Sequence, residues 1–172
     1  MKISETTSKF AVALAAAGAV FLGGTATSLG IAATSNDNYE WSGKLISFDP
    51  AAKTAVFQAR IETHANIEGL DDYSDGDRLI LTWTGRSWAA GVRGLSANPK
   101  LEPGTLSLPV EFVSTERDGQ YLNFRVPVPA AAVDTIAKFE PGVRVTGISP
   151  KMATDWDSGV SMLRHYNDTG RG

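Results

Sequence analysis

Acidic residues are densest at positions 71–77, and the first chemistry they suggest is calcium binding. Carboxylate oxygens are ligands that Ca²⁺ prefers, and this segment reads DDYSDGD. An EF-hand loop that began at Asp71 would need an oxygen ligand at Tyr73 and a glutamate at Thr82, and the sequence supplies neither. We therefore interpret the segment as the solvated end of a short helix followed by a capped turn. A weak calcium site of another type is the alternative.

Histidine and cysteine are too few to build a structural zinc site. The chain has two histidines, His64 and His165, and no cysteine, whereas such a site usually needs four ligands of these types. The sequence also lacks the G-x-S-x-G nucleophile turn, the P-loop and the dinucleotide-binding fingerprint. It therefore predicts a protein without metal, cofactor or catalytic residues, and an enzyme ranks only third among the functions considered.

Tryptophan and arginine are the residues that most often anchor protein interfaces, and four of them fall within residues 83–93. We interpret Trp83 as a core residue of a strand, and Trp88 and Trp156 as matched core residues at opposite ends of the fold. The two arginines of this segment and three aspartates of the acidic segment are the candidate partner-binding residues, namely Arg86, Arg93, Asp71, Asp72 and Asp75.

A sequence pattern that occurs twice predicts the secondary-structure elements that position these residues. Residues 67–83 and 133–147 match at an offset of 66, so that Gly76 aligns with Gly142 and Arg78 with Arg144. Each copy reads as a short helix, a glycine turn and an apolar strand. The strands before them match at an offset of 67, which pairs Phe57 with Phe124. The sequence therefore predicts a tandem duplication of a β-β-α-β unit, with repeat one at residues 41–98 and repeat two at residues 108–166.

Two such units resemble the cradle-loop barrels, which include the double-psi and swapped-hairpin types. In many of these barrels a Gly-Asp pair joins each helix to the next strand, as Gly76-Asp77 does here, while the second copy has Gly142-Val143. The resemblance implies a mainly β fold with short helices, closed as a small barrel with approximate two-fold symmetry. It implies no activity, because such barrels serve as enzymes, adaptors and scaffolds.

The first 33 residues predict export. Residues 10–22 are apolar or glycine, small residues follow, and Lys2 and Lys9 precede the run. This pattern indicates a cleaved signal peptide or an uncleaved membrane anchor, and either one places the following domain outside the cytoplasm, in a periplasmic or other extracytoplasmic location. Residues 34–40 read as a linker and residues 167–172 as a tail.

Composition agrees with one globular domain that does not bind nucleic acid. The chain has 172 residues, 42% of them hydrophobic, and a formal net charge of −3, which offers no basic stripe for nucleic acid. The sequence favours an exported, membrane-tethered or free, non-enzymatic accessory or scaffold domain that binds a protein partner in the cell envelope. A barrel that binds a small ligand between the repeats is the second interpretation.

Overall fold

The structure, a computed structural model, describes residues 38–62, 65, 67–84 and 91–166. The predicted export segment, His64, Arg86, Trp88 and the tail lie outside these residues. Within them, no helix is long and apolar enough to span a membrane.

The described residues form one antiparallel sheet of eight strands. In chain order the strands are β1 (Asn38–Asp49), β2 (Thr54–Arg60), β3 (Arg78–Thr84), β4 (Gly94–Ser96), β5 (Thr105–Glu116), β6 (Tyr121–Pro127), β7 (Arg144–Pro150) and β8 (Met162–His165). Their spatial order is β4-β3-β5-β6-β2-β1-β7-β8. The mainly β fold class expected from the sequence is confirmed.

The strand order has two-fold symmetry. If β1–β4 are renamed β5–β8 and β5–β8 are renamed β1–β4, the order read from the opposite edge is unchanged. Phe57 and Phe124, which the offset of 67 aligns, lie directly opposite each other where β2 and β6 meet. A bulge interrupts β1 between Leu45 and Ser47, and a matching bulge interrupts β5 between Phe112 and Ser114. The halves are interleaved, because β3 pairs with β5 and β7 pairs with β1.

The sheet of the described residues is compatible with a small barrel-like fold, but it is not closed by hydrogen bonds between its edge strands. Its edges are β4 and β8, which have three and four residues, and each pairs with a single neighbouring strand. The sheet is nevertheless coiled. The Tyr39 hydroxyl, near the start of β1, donates to the Ser107 carbonyl oxygen near the start of β5 at 3.0 Å.

Strand alternation fills the inside of this coiled sheet with one hydrophobic core. The core includes Phe57, Leu79, Phe124, Ile136 and Val145. All were expected there, and Leu70 packs against the core only at its margin. Trp83 is also buried, as expected.

The predicted helices are shorter than the apolar spacing indicated. The first is a single 3-10 turn at Leu70–Asp72, preceded by Gly69 with a φ of 70° and followed by an extended Tyr73. The second is a 3-10 turn at Ala130–Ala132 that continues into α1 (Val133–Ile136). The predicted glycine turns follow, since Gly76 and Gly142 have φ values of 94° and 96°, a region that favours glycine.

The end of the expected linker belongs to the fold. Residues 38–40 pair with β7, and Tyr39 is buried in the core. Burial raises the pKa of the Tyr39 phenol far above its ordinary value, and a hydrogen bond with Ser149 opposes that rise only in part. The ring therefore stays neutral in the folded state.

The Tyr39→Phe substitution should weaken the dependence of stability on alkaline pH. Because the folded pKa exceeds the unfolded value of about 10, the wild type should lose up to about 1.4 kcal/mol of stability per pH unit above pH 10 through this group. At neutral pH the variant should be about 1 kcal/mol less stable, since its hydrogen bond to Ser107 is gone. Urea unfolding of both proteins at pH 7 and pH 11 measures the difference, and equal losses would contradict it.

Candidate functional site

A cleft of about 480 Å³ opens where β1 leaves β2. The N-terminal part of β1, residues 38–44, pairs with β7, and the part from Lys44 onward pairs with β2. Lys44 is the one residue of β1 that pairs on both sides, with Gln58 in β2 and Arg144 in β7. On the N-terminal side of Lys44, β1 is no longer paired with β2, and the cleft lies between these two strands.

The described residues that line this cleft carry positive charge and no carboxylate. They are Ser42, Gly43, Lys44, Gln58, Ala59, Arg60, Tyr121, Gly142, Arg144 and Tyr166. Of these, the side chains of Lys44, Arg60 and Arg144 are cationic and exposed. An exposed cleft lined in this way favours anionic ligands.

A cross-strand row at one level of the sheet supplies most of this chemistry. It runs from Tyr166, directly after β8, through Arg144 and Lys44 to Gln58, and we call these four residues the basic row. The Arg144 guanidinium carbon lies 5.2 Å from the centre of the Tyr166 ring, a cation–π contact that holds the arginine against the tyrosine. Lys44 and Arg144 are directly opposite each other, and like charges in such a pair destabilise a sheet.

The symmetric position in the other half carries a balanced set of charges, which we call the compensated row. It consists of Arg78 in β3, Glu111 in β5 and Arg125 in β6, together with Asp75 on the loop before β3. The two carboxylate oxygens of Glu111 lie 3.5 Å from Arg78 Nε and 3.0 Å from Arg125 Nη1. Asp75 adds a second acid, 3.5 Å from Arg125.

The offsets of 67 and 66 align the two rows residue by residue. Lys44 corresponds to Glu111, Gln58 to Arg125 and Arg144 to Arg78, and Pro141 stands where the compensated row has Asp75. Two positive and two negative charges cancel in the compensated row, whereas Lys44 and Arg144 leave the basic row at +2. Equivalent positions of the sheet thus carry a neutral set of side chains in one half and a set with a net positive charge in the other.

The acidic residues predicted to bind a partner lie together on one loop. Asp71 and Asp72 belong to the 3-10 turn and are exposed, and Asp75 follows on the same loop, paired with Arg125. Asp77 caps the turn, because its side chain accepts a hydrogen bond from the Ser74 amide at 2.8 Å. Among the described residues, no group of three or more His, Cys, Asp or Glu side chains could hold a metal ion.

The predicted arginine pair is described at only one of its positions, because Arg86 lies outside the described residues. Arg93 forms a two-contact ion pair with Glu62, and one contact joins Arg93 Nη2 to Glu62 Oε1 at 2.9 Å. The hydrogen bond and the charge of Glu62 raise the pKa of the guanidinium. These contacts join Arg93 to Glu62, which lies just after β2 and outside the acidic loop.

One aromatic prediction is wrong. Trp156 is half-buried and lies outside the core, with the Arg78 guanidinium 5.5 Å from its ring centre, so it is not a core residue. Among the described residues, Trp41 and Trp83 are fully buried. His165 is exposed and meets the Phe139 ring edge-on at 5.0 Å, in agreement with the expected surface position.

The basic row was not predicted from the sequence, because its members come from distant parts of the chain. Residues 44, 58, 144 and 166 become neighbours only through strand register. A usable signal was present, since alignment of the two copies places lysine against glutamate and glutamine against arginine. The charge differences between the aligned positions, and not the matches, distinguish the two rows.

No protein family, curated protein or solved structure matches this chain.

Proposed function

We propose that this chain is an exported, non-enzymatic binding domain that attaches to an anionic component of the cell envelope through the basic row. The observation that carries the proposal is the Lys44–Arg144 pair, a like-charge pair kept where the symmetric half has an attractive one. A stability cost of this kind is expected where a surface serves binding. The accessory or scaffolding role rests on the rigid sheet and single core behind the row.

Export is supported by the apolar run at residues 10–22 with lysines before it. The segment acts as a signal peptide or as an anchor, and both deliver the domain to the envelope. The first described strand begins at Asn38, and fifteen residues separate it from the end of this apolar run.

We also propose that the fold is an opened relative of the cradle-loop barrels that arose by tandem duplication. The symmetric strand order, the matching bulges and the direct pairing of Phe57 with Phe124 support this origin. Equivalent backbone hydrogen bonds also recur. Leu45 N donates to Val143 O, and Phe112 N donates to Asp77 O, both at 2.8 Å.

A small-ligand-binding module is the second candidate, and the cleft of about 480 Å³ favours it. This volume lies within the usual range for ligand pockets, but the cleft is open to solvent along the sheet. An open basic surface fits an anionic group displayed on a larger component better than an enclosed apolar ligand. The envelope component therefore remains the first proposal.

The experiment uses the tagged full-length chain expressed in cells, followed by fractionation and recovery on the isolated envelope. We expect the protein in the envelope or extracytoplasmic fraction, and we expect the Lys44→Ala/Arg144→Ala variant to be recovered at least about tenfold less efficiently. That loss corresponds to about 1.4 kcal/mol or more of binding free energy. Arg78→Ala is the matched control, because it removes one cation from the compensated row.

Two outcomes would contradict the proposal. Cytoplasmic wild-type protein would refute export, and equal recovery of the double variant would refute the basic row as the contact surface. The Arg86→Ala/Arg93→Ala variant tests the surface predicted from sequence in the same assay. A selective loss in that variant would move the interface to that surface.

A further inference from the structure

We propose that the basic row binds a dianionic tetrahedral group, a phosphate monoester, between Lys44 and Arg144. This inference rests on the proposed function and specifies its ligand. In the part of the chain that the structure describes, no carboxylate forms an ion pair with Lys44 or Arg144. Their opposite positions on neighbouring strands place the two Cα atoms about 5 Å apart, so one small anion can contact both side chains.

The compensated row shows how this level of the sheet holds an anion. There the Glu111 carboxylate lies between two cations and presents one oxygen to Arg78 and the other to Arg125. Arg144 occupies the position of Arg78, but Lys44 replaces the acid. An external anion above Lys44 would therefore take the place that the built-in carboxylate fills in the other half.

Charge favours a dianion over a carboxylate for this place. Lys44 and Arg144 together carry two positive charges, and a single carboxylate neutralises only one of them. A phosphate monoester carries nearly two negative charges at neutral pH and offers three terminal oxygens, so both cations can donate to it at once. Gln58 adds no charge, and its amide already donates to Asn123 Oδ1 at 3.2 Å.

The aromatic ring beside the arginine prepares the site for such a ligand. The Arg144 guanidinium carbon lies over the Tyr166 ring, and this cation–π contact holds the arginine beside Lys44. A guanidinium presents planar pairs of N–H donors, from which a tetrahedral oxyanion accepts two parallel hydrogen bonds. Tyr166 is thus a positioning residue for Arg144.

The test is a titration of the full chain with sodium phosphate, glycerol phosphate, sodium sulfate and sodium acetate at constant ionic strength, followed by calorimetry. A second arm uses vesicles of phosphatidylcholine, with and without phosphatidic acid, to separate a lipid headgroup from a soluble source. Wild type and variants keep the same N-terminal segment, so any contribution of residues 10–22 to vesicle binding cancels. The variants are Lys44→Gln/Arg144→Gln and, as the matched control, Arg78→Gln.

We expect the dianions to bind at least about tenfold more tightly than acetate, with that preference lost in the double variant and retained in the control. Binding to phosphatidic acid vesicles alone, lost in the double variant, would support the inference with a membrane source. Acetate binding as tight as phosphate binding would overturn the inference and leave an anion-binding function standing. If no anion or vesicle binds through the row, the inference is wrong, and envelope recovery decides the proposed function separately.

Both side chains of the row are exposed, so the double variant should fold. Circular dichroism and the melting temperature check this. If it does not fold, the single variants Lys44→Gln and Arg144→Gln replace it, and each should weaken dianion binding several-fold.

Discussion

The Gly147→Leu substitution should destabilise the domain by about 3 kcal/mol or more, among the largest effects expected from a single residue of this fold. Gly147 in β7 lies opposite Trp41 in β1, and the indole covers it. A Cβ atom at position 147 would lie 2.1 Å from Trp41 Cε2, which is a severe steric clash. The indole has no free space, because Trp41 is 1% exposed and meets the Phe57 ring at 5.4 Å. Overpacking of a core typically costs 1–3 kcal/mol and sometimes more.

The symmetric half suggests a compensating change. The offsets of 66 and 67 align Leu81 with Gly147 and Leu108 with Trp41. Leu81 and Leu108 lie directly opposite each other, so this pair has two side chains of medium size in place of a small and a large one. Trp41→Leu alone should cost about 2–4 kcal/mol, through a cavity and through loss of the 2.8 Å hydrogen bond from Trp41 Nε1 to Ser149 Oγ. The double variant should cost about 2 kcal/mol less than the sum of the two single variants, because it reproduces the Leu–Leu pair.

Urea unfolding of the wild type, both single variants and the double variant measures this coupling. Val110→Ala, a truncation at another fully buried strand position, is the control and should add independently to Trp41→Leu if the two sites share no contact. Strictly additive losses for Gly147→Leu and Trp41→Leu would mean that the two halves do not pack equivalently at this pair.

The hairpins were predictable from sequence because their signals are local. Alternation in residues 54–61 and the turn residues Asp49-Pro50 and Asp118-Gly119 indicate antiparallel pairs, and both hairpins are present. The aligned glycines 76 and 142 both adopt a positive φ, as the glycine turns expected from the sequence require. These features need only neighbouring residues or a constant offset.

Helix length and closure could not be read from sequence, because both depend on tertiary contacts. The spacing of Ile67, Leu70 and Tyr73 fits a helix, and all three pack against the core. Gly69 in the left-handed region nevertheless limits the element to one 3-10 turn. Closure depends on whether distant strands pair, and β4 and β8 remain at the two edges of the sheet.

Long-range register decided the rest. The sequence predicted two repeats that close their hydrophobic faces on each other, and it did not predict that β1 pairs with β7 and β5 with β3, so that each half of the sheet takes strands from both predicted repeats. The pairing of Trp41 with Gly147 and of Lys44 with Arg144 follows from this exchange. No local pattern encodes which residues 100 positions apart will share a row.

The charge reversal Lys44→Glu should stabilise the domain while it removes anion binding. It gives the basic row the arginine–glutamate pair of the compensated row, so repulsion between Lys44 and Arg144 becomes attraction. Both positions are exposed, and we therefore expect a gain of only about 0.5–1 kcal/mol at low salt, smaller at high salt. Affinity for phosphate or for the envelope should fall by well over tenfold, because the new carboxylate occupies and neutralises the place of the ligand.

Lys44→Gln separates the two causes, since it removes the repulsion without adding an acid. It should gain about half of the stability and lose less affinity than Lys44→Glu. Urea unfolding at low and high salt, with phosphate titration of the same samples, gives both quantities. A gain in stability with unchanged binding would show that the row is an unfavourable surface pair without a ligand. A loss of stability in Lys44→Glu would show that Lys44 is held by contacts stronger than its repulsion from Arg144, and the argument from the compensated row would fail.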